Sequence, residues 1–220
     1  MRLLLKITLF CLLLTPSFAL PQLTWDTKEA QLTLGPKDKE AQATFTATNT
    51  GDEAFRIADL KTSCGCTGAY AKTQIVEPGE TTEIVITFSK GKRSGKNRNK
   101  VKVYLDGVDE PVATLSIVVD IPTLIELKPR IVFWNQNAPK APQTIQVSLN
   151  ETYGLAIDQI TYDAELFTVT RIDSPSSPNM LTLEVTPKSY DQTIRSTLTL
   201  TANGKDDITA EARAHIFVQP

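Results

Sequence analysis

The chain has 220 residues, a formal net charge of −2, three cysteines and one histidine. This charge balance does not favour a nucleic-acid-binding protein, which usually carries a strongly basic surface. A single histidine excludes most catalysis that depends on a histidine base. The length suits one large domain or two small ones.

The first 19 residues predict a secretory signal peptide. Arg2 and Lys6 flank the start of an apolar run, and Ser17-Phe18-Ala19 places small residues at positions −3 and −1 of a cleavage site. We expect cleavage after Ala19, which removes Cys11 and leaves no membrane span; an uncleaved N-terminal anchor is the alternative. The mature protein is therefore expected to be exported, periplasmic or extracellular, where disulfides persist.

The rest of the chain predicts an all-β protein. Short segments rich in Val, Ile, Thr and Phe alternate apolar and polar residues, and turn residues such as Asp106-Gly107 separate them. No window shows helical periodicity. This pattern is typical of a β-sandwich. The strands expected in the first half are 41–49, 55–63, 73–76, 81–89, 99–106 and 111–121.

The chain also repeats itself at a spacing of roughly one hundred residues. Residues 43–60 align with 144–160, which matches Asn49 to Asn150, and residues 83–88 align with 182–187. A repeat of this length indicates two copies of one sandwich. After the signal peptide, 1–19, we expect two tandem immunoglobulin-like domains, and their ranges are 20–120 and 121–220.

Three motifs of the first copy occur in order. They are Asn49-Thr50-Gly51, Cys64-Gly65-Cys66-Thr67 and Pro78-Gly79-Glu80. With these motifs, residues 41–120 resemble a bacterial domain-of-unknown-function family, number fifteen seventy-three. The resemblance implies an immunoglobulin-like sandwich and export, and it leaves the function open.

The cysteine motif is specific to the first copy, because the second copy has Asp163-Ala164-Glu165 in its place. The fold therefore does not need the cysteines. In an up-and-down order of strands, Cys64 and Cys66 lie at the same end as the loop 89–100. The last strand, 111–121, leads from that end into the second domain, so we expect the cysteines to face the interdomain junction.

The loop 89–100 is strongly basic and is a candidate patch for an anionic partner. A solvated hairpin is the alternative interpretation. The basic residues of the candidate patch are Lys90, Lys92, Arg93, Lys96, Arg98 and Lys100.

Two chemical roles of the cysteine pair need no metal. A disulfide between Cys64 and Cys66 encloses one residue, so it stabilises the fold little and serves mainly to shape a turn. A thiol redox role needs an accessible thiol with a lowered pKa, which Lys61, Lys90 and Arg93 could supply. An intermolecular disulfide, including one to a partner, is a further alternative.

A metal role is limited by the supply of ligands. Zinc usually takes four ligands, and His215 is the only imidazole of the chain. Cu(I) favours soft sulfur donors, so a Cu(I) site would use Cys64 and Cys66, with Met180 as a candidate third ligand.

We therefore expect an exported, non-enzymatic, two-domain β-sandwich protein without a cofactor, which binds another protein or a component of the cell envelope. The alternative is a thiol redox or Cu(I)-handling protein that uses Cys64 and Cys66. Thiol–disulfide chemistry at this pair is the one form of catalysis that the sequence leaves open.

Overall fold

The computed structural model describes residues 22–135, 137 and 139–220, and they form an all-β protein. The predicted fold class is thus confirmed. The predicted signal peptide, residues 1–19, and Cys11 lie outside the described residues.

The first nine strands form the first sandwich. The strands are β1 (Leu23–Trp25), β2 (Glu29–Thr33), β3 (Glu40–Asn49), β4 (Phe55–Thr62), β5 (Thr67–Ala71), β6 (Ile75–Val76), β7 (Thr81–Ser89), β8 (Gly95–Leu105) and β9 (Ala113–Ile121). One sheet has the order β1-β3-β7-β5 and the other has the order β2-β9-β8-β4-β6. All neighbours are antiparallel except β2 and β9, which are parallel.

The next eight strands form the second sandwich, whose sheets have the orders β10-β12-β15-β14 and β11-β17-β16-β13. Its single parallel pair is β11 with β17. The strands are β10 (Ile125–Lys128), β11 (Ile131–Trp134), β12 (Gln143–Leu149), β13 (Ala156–Thr161), β14 (Phe167–Asp173), β15 (Met180–Pro187), β16 (Ile194–Asn203) and β17 (Thr209–Val218).

The two sandwiches share one topology. Each strand of the second sandwich occupies the sheet position of its counterpart in the first, and only β6 lacks a counterpart. The matched asparagines agree. Asn49 is the last residue of β3 and Asn150 directly follows β12, and the side-chain oxygen of each accepts a hydrogen bond from the amide two residues later. Asn49 accepts from the amide of Gly51, and Asn150 accepts from the amide of Thr152. The structure therefore repeats as the sequence does. The domain ranges 20–120 and 121–220 remain a prediction.

Alternation of apolar and polar residues builds a separate core in each sandwich. In the first, Phe45, Ile84 and Leu115 are fully buried. In the second, Trp134 and Phe167 are buried, and none of its core residues belongs to the first cluster. Burial of each such side chain contributes roughly 1.5–3 kcal/mol.

The observed strands of the first sandwich differ from the predicted ones in three places. β1 and β2 precede the first predicted strand, 41–49, and were not predicted. The predicted strand 73–76 is reduced to β6, and β5 precedes it and joins the opposite sheet. The order of strands is therefore not a simple up-and-down series. The predicted loop 89–100 is also too long, because β8 already begins at Gly95.

Candidate functional site

The two cysteines lie where the chain crosses from one sheet of the first sandwich to the other. β4 ends at Thr62 in one sheet and β5 begins at Thr67 in the other, so residues 63–66, the cysteine corner, join the sheets. Cys64 and Cys66 form a disulfide with their Cα atoms 5.3 Å apart. This separation lies within the usual range for disulfides, about 4.4–6.8 Å.

Hydrogen bonds tie both ends of the cysteine corner to neighbouring strands. The amide of Ser63 donates to the carbonyl of Lys100 on β8 at 2.9 Å, and the amide of Ser89 on β7 donates to the carbonyl of Cys66 at 2.8 Å. Within the corner, the amide of Cys66 donates to the Sγ atom of Cys64 at 2.9 Å. The corner is therefore fixed to both sheets.

The two sulfur atoms have different surroundings. Cys66 is buried in the first core, with its Sγ atom 3.6 Å from Oδ1 of Asn99 and 3.8 Å from Oγ1 of Thr67. Cys64 is half-buried at the edge of the same core. A reductant or a metal would therefore have to approach the pair from the side of Cys64.

The second sandwich makes the same crossing without cysteines, over residues 162–166, the aspartate corner. The carboxylate of Asp163 accepts a hydrogen bond from the amide of Glu165 at 3.0 Å. This contact has the same two-residue spacing as the one between Cys64 and Cys66. A carboxylate in one corner thus accepts the hydrogen bond that a sulfur atom accepts in the other.

The three cations expected to lower a cysteine pKa have other partners. Lys61 lies 4.6 Å from the centre of the Tyr104 ring. Lys90 donates to two backbone carbonyls in residues 35–36, and Arg93 donates to two carbonyls of its own turn at 3.4 Å. None of the three donates a hydrogen bond to a cysteine sulfur within the described residues, so they give little support to a reactive thiolate.

The basic residues of the candidate patch divide into two groups. Lys90, Lys92 and Arg93 lie in the turn 90–94 between β7 and β8. The other three alternate along β8 on its exposed face, and Arg98 pairs with Glu29 at 2.5 Å. Only the first group lines a groove between the sandwiches, which contains neither cysteine. The expectation that Cys64 and Cys66 face the junction is therefore wrong, because β8 and β9 extend beyond the cysteine corner.

The strand that follows the cysteine corner has one free edge. Within the part of the chain that the structure describes, β5 is the last strand of its sheet and pairs only with β7. The amide of Lys72 donates to the carbonyl of Glu83 at 2.9 Å. This contact identifies which residues of β5 form backbone hydrogen bonds with β7. Because hydrogen-bonded positions alternate in antiparallel strands, the backbone groups of Ala69 and Ala71 face away from β7.

A cleft of about 260 Å³ separates β5 from β4, the strand on the other side of the cysteine corner. The edge of β4 is partly closed, because the carboxylate of Asp59 accepts from the amide of Leu60 at 2.8 Å. The amide of Ile57 likewise donates to the carbonyl of Gln74 at 2.8 Å. This leaves β5 as the open side of the cleft. The aliphatic side chains that line the cleft include those of Ile57, Leu60, Ala69 and Ala71.

Two exposed ion pairs shift pKa values in the first sandwich. A hydrogen bond from Lys72 to Glu83 at 2.6 Å raises the pKa of the lysine, and the charge of Glu83 adds to this effect. A hydrogen bond from Arg98 lowers the pKa of Glu29. The first pair holds the end of β5 against β7.

The remaining candidate ligands lie in the second sandwich. Met180 is the exposed first residue of β15, and His215 is exposed on β17, where Nδ1 lies 3.3 Å from Oγ1 of Thr197. No group of three or more His, Cys, Asp or Glu side chains in the described part of the chain is placed to hold a metal. Among the same residues, no helix is long and apolar enough to cross a membrane.

Residues 23–121 match the family described as "Protein of unknown function (DUF1573)". The resemblance predicted from the three motifs is therefore confirmed for the first sandwich. A comparison with curated proteins found no match.

Several solved structures are similar at low identity. A protein of unknown function from Porphyromonas gingivalis is 12% identical over 89% of this chain and 99% of that chain, with a TM-score of 0.38. The CupB2 chaperone of Pseudomonas aeruginosa is 10% identical over 87% and 99%, with a TM-score of 0.33. The VesB protease of Vibrio cholerae is 16% identical over 45% of this chain and only 32% of that chain, with a TM-score of 0.34. Similarities this weak carry no argument about function.

Sequence reasoning missed β5, although the sequence contains a signal for it. The segment Phe167–Asp173 of the second copy alternates Val and Thr with other residues and is β14 in the structure. At the repeat spacing of about one hundred residues, this strand maps onto the segment that begins at Thr67. The small residues Gly68 and Ala69 hide the strand when the first copy is considered alone.

Proposed function

We propose that this protein is an exported, non-enzymatic interaction module that binds an extended segment of another protein along β5. The observation that carries the proposal is the free edge of this strand, where the backbone groups of Ala69 and Ala71 face away from β7. Export rests on the predicted signal peptide, residues 1–19.

The free edge defines the chemistry of the partner. Unpaired amide and carbonyl groups along an edge strand are satisfied by a ligand that offers the same groups at the same spacing, and an extended polypeptide does so. The cleft between β4 and β5 would take its small apolar side chains, against Leu60 and Ala71. Tyr70, which also lines the cleft and is 55% exposed, adds an aromatic contact.

The absence of charge on β5 supports the proposal. Proteins protect edge strands from unwanted pairing with charged side chains. The counterpart strand β14 carries Arg171 and Asp173, which pair with each other at 2.7 Å. β5, Thr67–Ala71, has the sequence TGAYA and no charged residue. The edge of β5 is thus left unprotected.

In this proposal the disulfide fixes the start of the binding edge. The cysteine corner connects directly to Thr67, the first residue of β5. A strand that is ordered before binding loses less conformational entropy when it pairs with a partner. The disulfide would then contribute to affinity more than to the stability of the fold.

Photo-crosslinking in cells of the source bacterium tests the proposal. The full-length chain carries p-benzoylphenylalanine at position 70 or, as a matched control, at position 172 on β14. Ile172 has a similar exposure, 49% against 55% for Tyr70. We expect an adduct of defined mass from position 70 in the exported fraction, and none of that mass from position 172.

A lack of any adduct from position 70, or the same adduct from both positions, would contradict the proposal. Cell fractionation and mass spectrometry of the mature N-terminus test export separately. We expect a mature chain that begins at Leu20. A chain that still carries residues 1–19 and is found in the cytoplasmic fraction would contradict export.

Thiol redox chemistry or Cu(I) binding at Cys64 and Cys66 remains the alternative prediction. A free-thiol titration of the exported protein and its reduction potential test the redox role. A pair that is oxidised and hard to reduce would exclude it. After reduction, a lack of Cu(I) binding would exclude the metal role, and Met180→Leu tests the third ligand.

A further inference from the structure

A groove of about 830 Å³ lies between the first and second sandwiches. Its walls are the turn 90–94, the segment from Ile121 to Arg130 and the start of β17 at Thr209–Ala212. This groove is distinct from the cleft beside β5.

The groove is lined by five cationic and two anionic side chains. The two anionic residues already have cationic neighbours, because Glu126 lies 2.8 Å from Lys128 and Glu211 lies 2.7 Å from Arg213. The other four cationic residues of the groove have no acidic partner within ion-pair distance in the part of the chain that the structure describes. These four are Lys90, Lys92, Arg93 and Arg130.

Two of these cations are held in place by the backbone. The ammonium group of Lys90 donates to the carbonyls of Pro36 and, at 3.1 Å, of Gly35. The guanidinium of Arg93 donates to the carbonyls of Ser89 and Lys90 at 3.4 Å. Carbonyl oxygens bear no net charge, so both side chains keep their positive charge. The charge of this wall is therefore fixed before a ligand arrives.

Lys92 and Arg130 have a different role in the groove. Both are exposed and line the groove from different sandwiches, one on the turn 90–94 and the other just before β11. No side-chain hydrogen bond within the described residues involves either of them. Guanidinium and ammonium groups bind phosphate and carboxylate oxygens strongly when they converge.

We propose that this groove binds a linear polyanion, a chain with repeated phosphate or carboxylate groups. Four cations along a groove of this size fit several anionic groups better than one ion. The cations line a concave surface rather than a flat face, which favours a polymer strand over a membrane surface. The proposal does not depend on strand addition at β5.

Binding of fluorescent polyanions to the mature protein tests the proposal. The probes are inorganic polyphosphate, polygalacturonate as the carboxylate polymer, and vesicles that contain anionic phospholipid. The groove variant is Lys92→Glu plus Arg130→Glu. The control, Lys28→Glu plus Lys188→Glu, makes the same charge change at two exposed lysines outside the groove.

We expect at least one polymer to bind the native protein, and more tightly as the salt concentration falls. The groove variant should bind at least tenfold more weakly, and the control within threefold of the native protein. The polymer that binds identifies phosphate or carboxylate as the preferred group. Equal loss in both variants, binding to vesicles alone, or no binding at all would overturn the proposal. Thermal unfolding checks that both variants are folded.

Discussion

The two corners of this molecule solve one structural problem with different chemistry. Each carries the chain from one sheet of a sandwich to the other. In each, a side-chain acceptor accepts a hydrogen bond from the backbone amide of the residue two positions later. In the first corner the acceptor is the sulfur of Cys64, and in the second it is the carboxylate of Asp163. Both crossings thus have an acceptor at this position, and the second one forms without a disulfide.

The corners also differ in how the following strand is anchored. In the second sandwich, Phe167 begins β14 and is fully buried in the core. In the first, Thr67 begins β5, and the smaller Cys66 enters the core before it. The first sandwich thus has a weaker apolar anchor and adds a covalent one, beside the edge strand that carries no charge. The shared feature, the side-chain acceptor, serves the fold of both sandwiches. The disulfide and the uncharged edge strand belong to the first sandwich and would serve binding.

The largest expected effect comes from removal of the aromatic anchor. Phe167→Ala should destabilise the second sandwich by roughly 3–5 kcal/mol, because it leaves a cavity in the core. The matched change Thr67→Ala in the first sandwich should cost about 1 kcal/mol. Urea unfolding measures both, with Trp134 as the probe of the second core and Trp25 as the probe of the first. Equal losses in the two sandwiches would contradict the difference in anchoring.

The next effect concerns the disulfide itself. Cys64→Ala with Cys66→Val should lower the free energy of unfolding by roughly 1–2 kcal/mol, since a disulfide across one residue restricts the unfolded chain little. Cys64→Asp with Cys66→Val restores an acceptor of the kind found at Asp163. We expect this variant to recover about 1 kcal/mol of that loss. If the two variants are equally stable, the sulfur and the carboxylate are not equivalent acceptors.

The aspartate corner gives the converse test, with a smaller effect. Asp163→Ala removes the acceptor for the amide of Glu165 and should cost about 0.5–1.5 kcal/mol. Asp163→Asn keeps a side-chain oxygen in the same place and should cost less. Unfolding in urea at neutral pH distinguishes them. An Asn variant that loses as much as the Ala variant would show that charge, rather than the hydrogen bond, holds the corner.

The smallest effect is the pH dependence of the first sandwich. Because the pKa of Lys72 is raised in the folded state, the stabilisation by this pair is present below the pKa of an unfolded lysine. It is lost as the pH rises through the folded-state pKa. Lys72→Met should therefore reduce the loss of stability measured as the pH rises above 10.5, the ordinary pKa of lysine. If the free energy of unfolding of this variant falls as steeply at alkaline pH as that of the native protein, the pair of Lys72 and Glu83 does not stabilise the end of β5.

The all-β class and the repeat followed from local patterns in the sequence. Alternation in segments such as 81–89 predicts a strand by itself, and the observed β7 has the same bounds. The asparagine turns were matched because the same residue type performs the same hydrogen bonding in both copies. Such features depend on neighbours in sequence, which is why they could be predicted.

The candidate site depended on information that the sequence carries weakly. β5 contains Gly and Ala, so its sequence shows almost no alternation of apolar and polar residues. Its place in the opposite sheet depends on long-range pairing with β7. The expected position of the cysteines at the junction failed because β8 and β9 continue past them. The hydrogen-bonding register between β5 and β7 determines which backbone groups of β5 face away from β7. The amino-acid composition of β5 does not determine this register.

The most direct measurement of the central claim compares one backbone change on the two counterpart strands. Ala69→Pro removes an amide that faces away from β7, and Val169→Pro removes the equivalent outward amide of β14. Both changes spare the internal ladder, and thermal unfolding verifies that both variants fold. With the crosslinker at position 70, we predict at least a tenfold loss of the partner adduct for Ala69→Pro and less than a twofold change for Val169→Pro. An undiminished adduct from folded Ala69→Pro would contradict strand addition at β5.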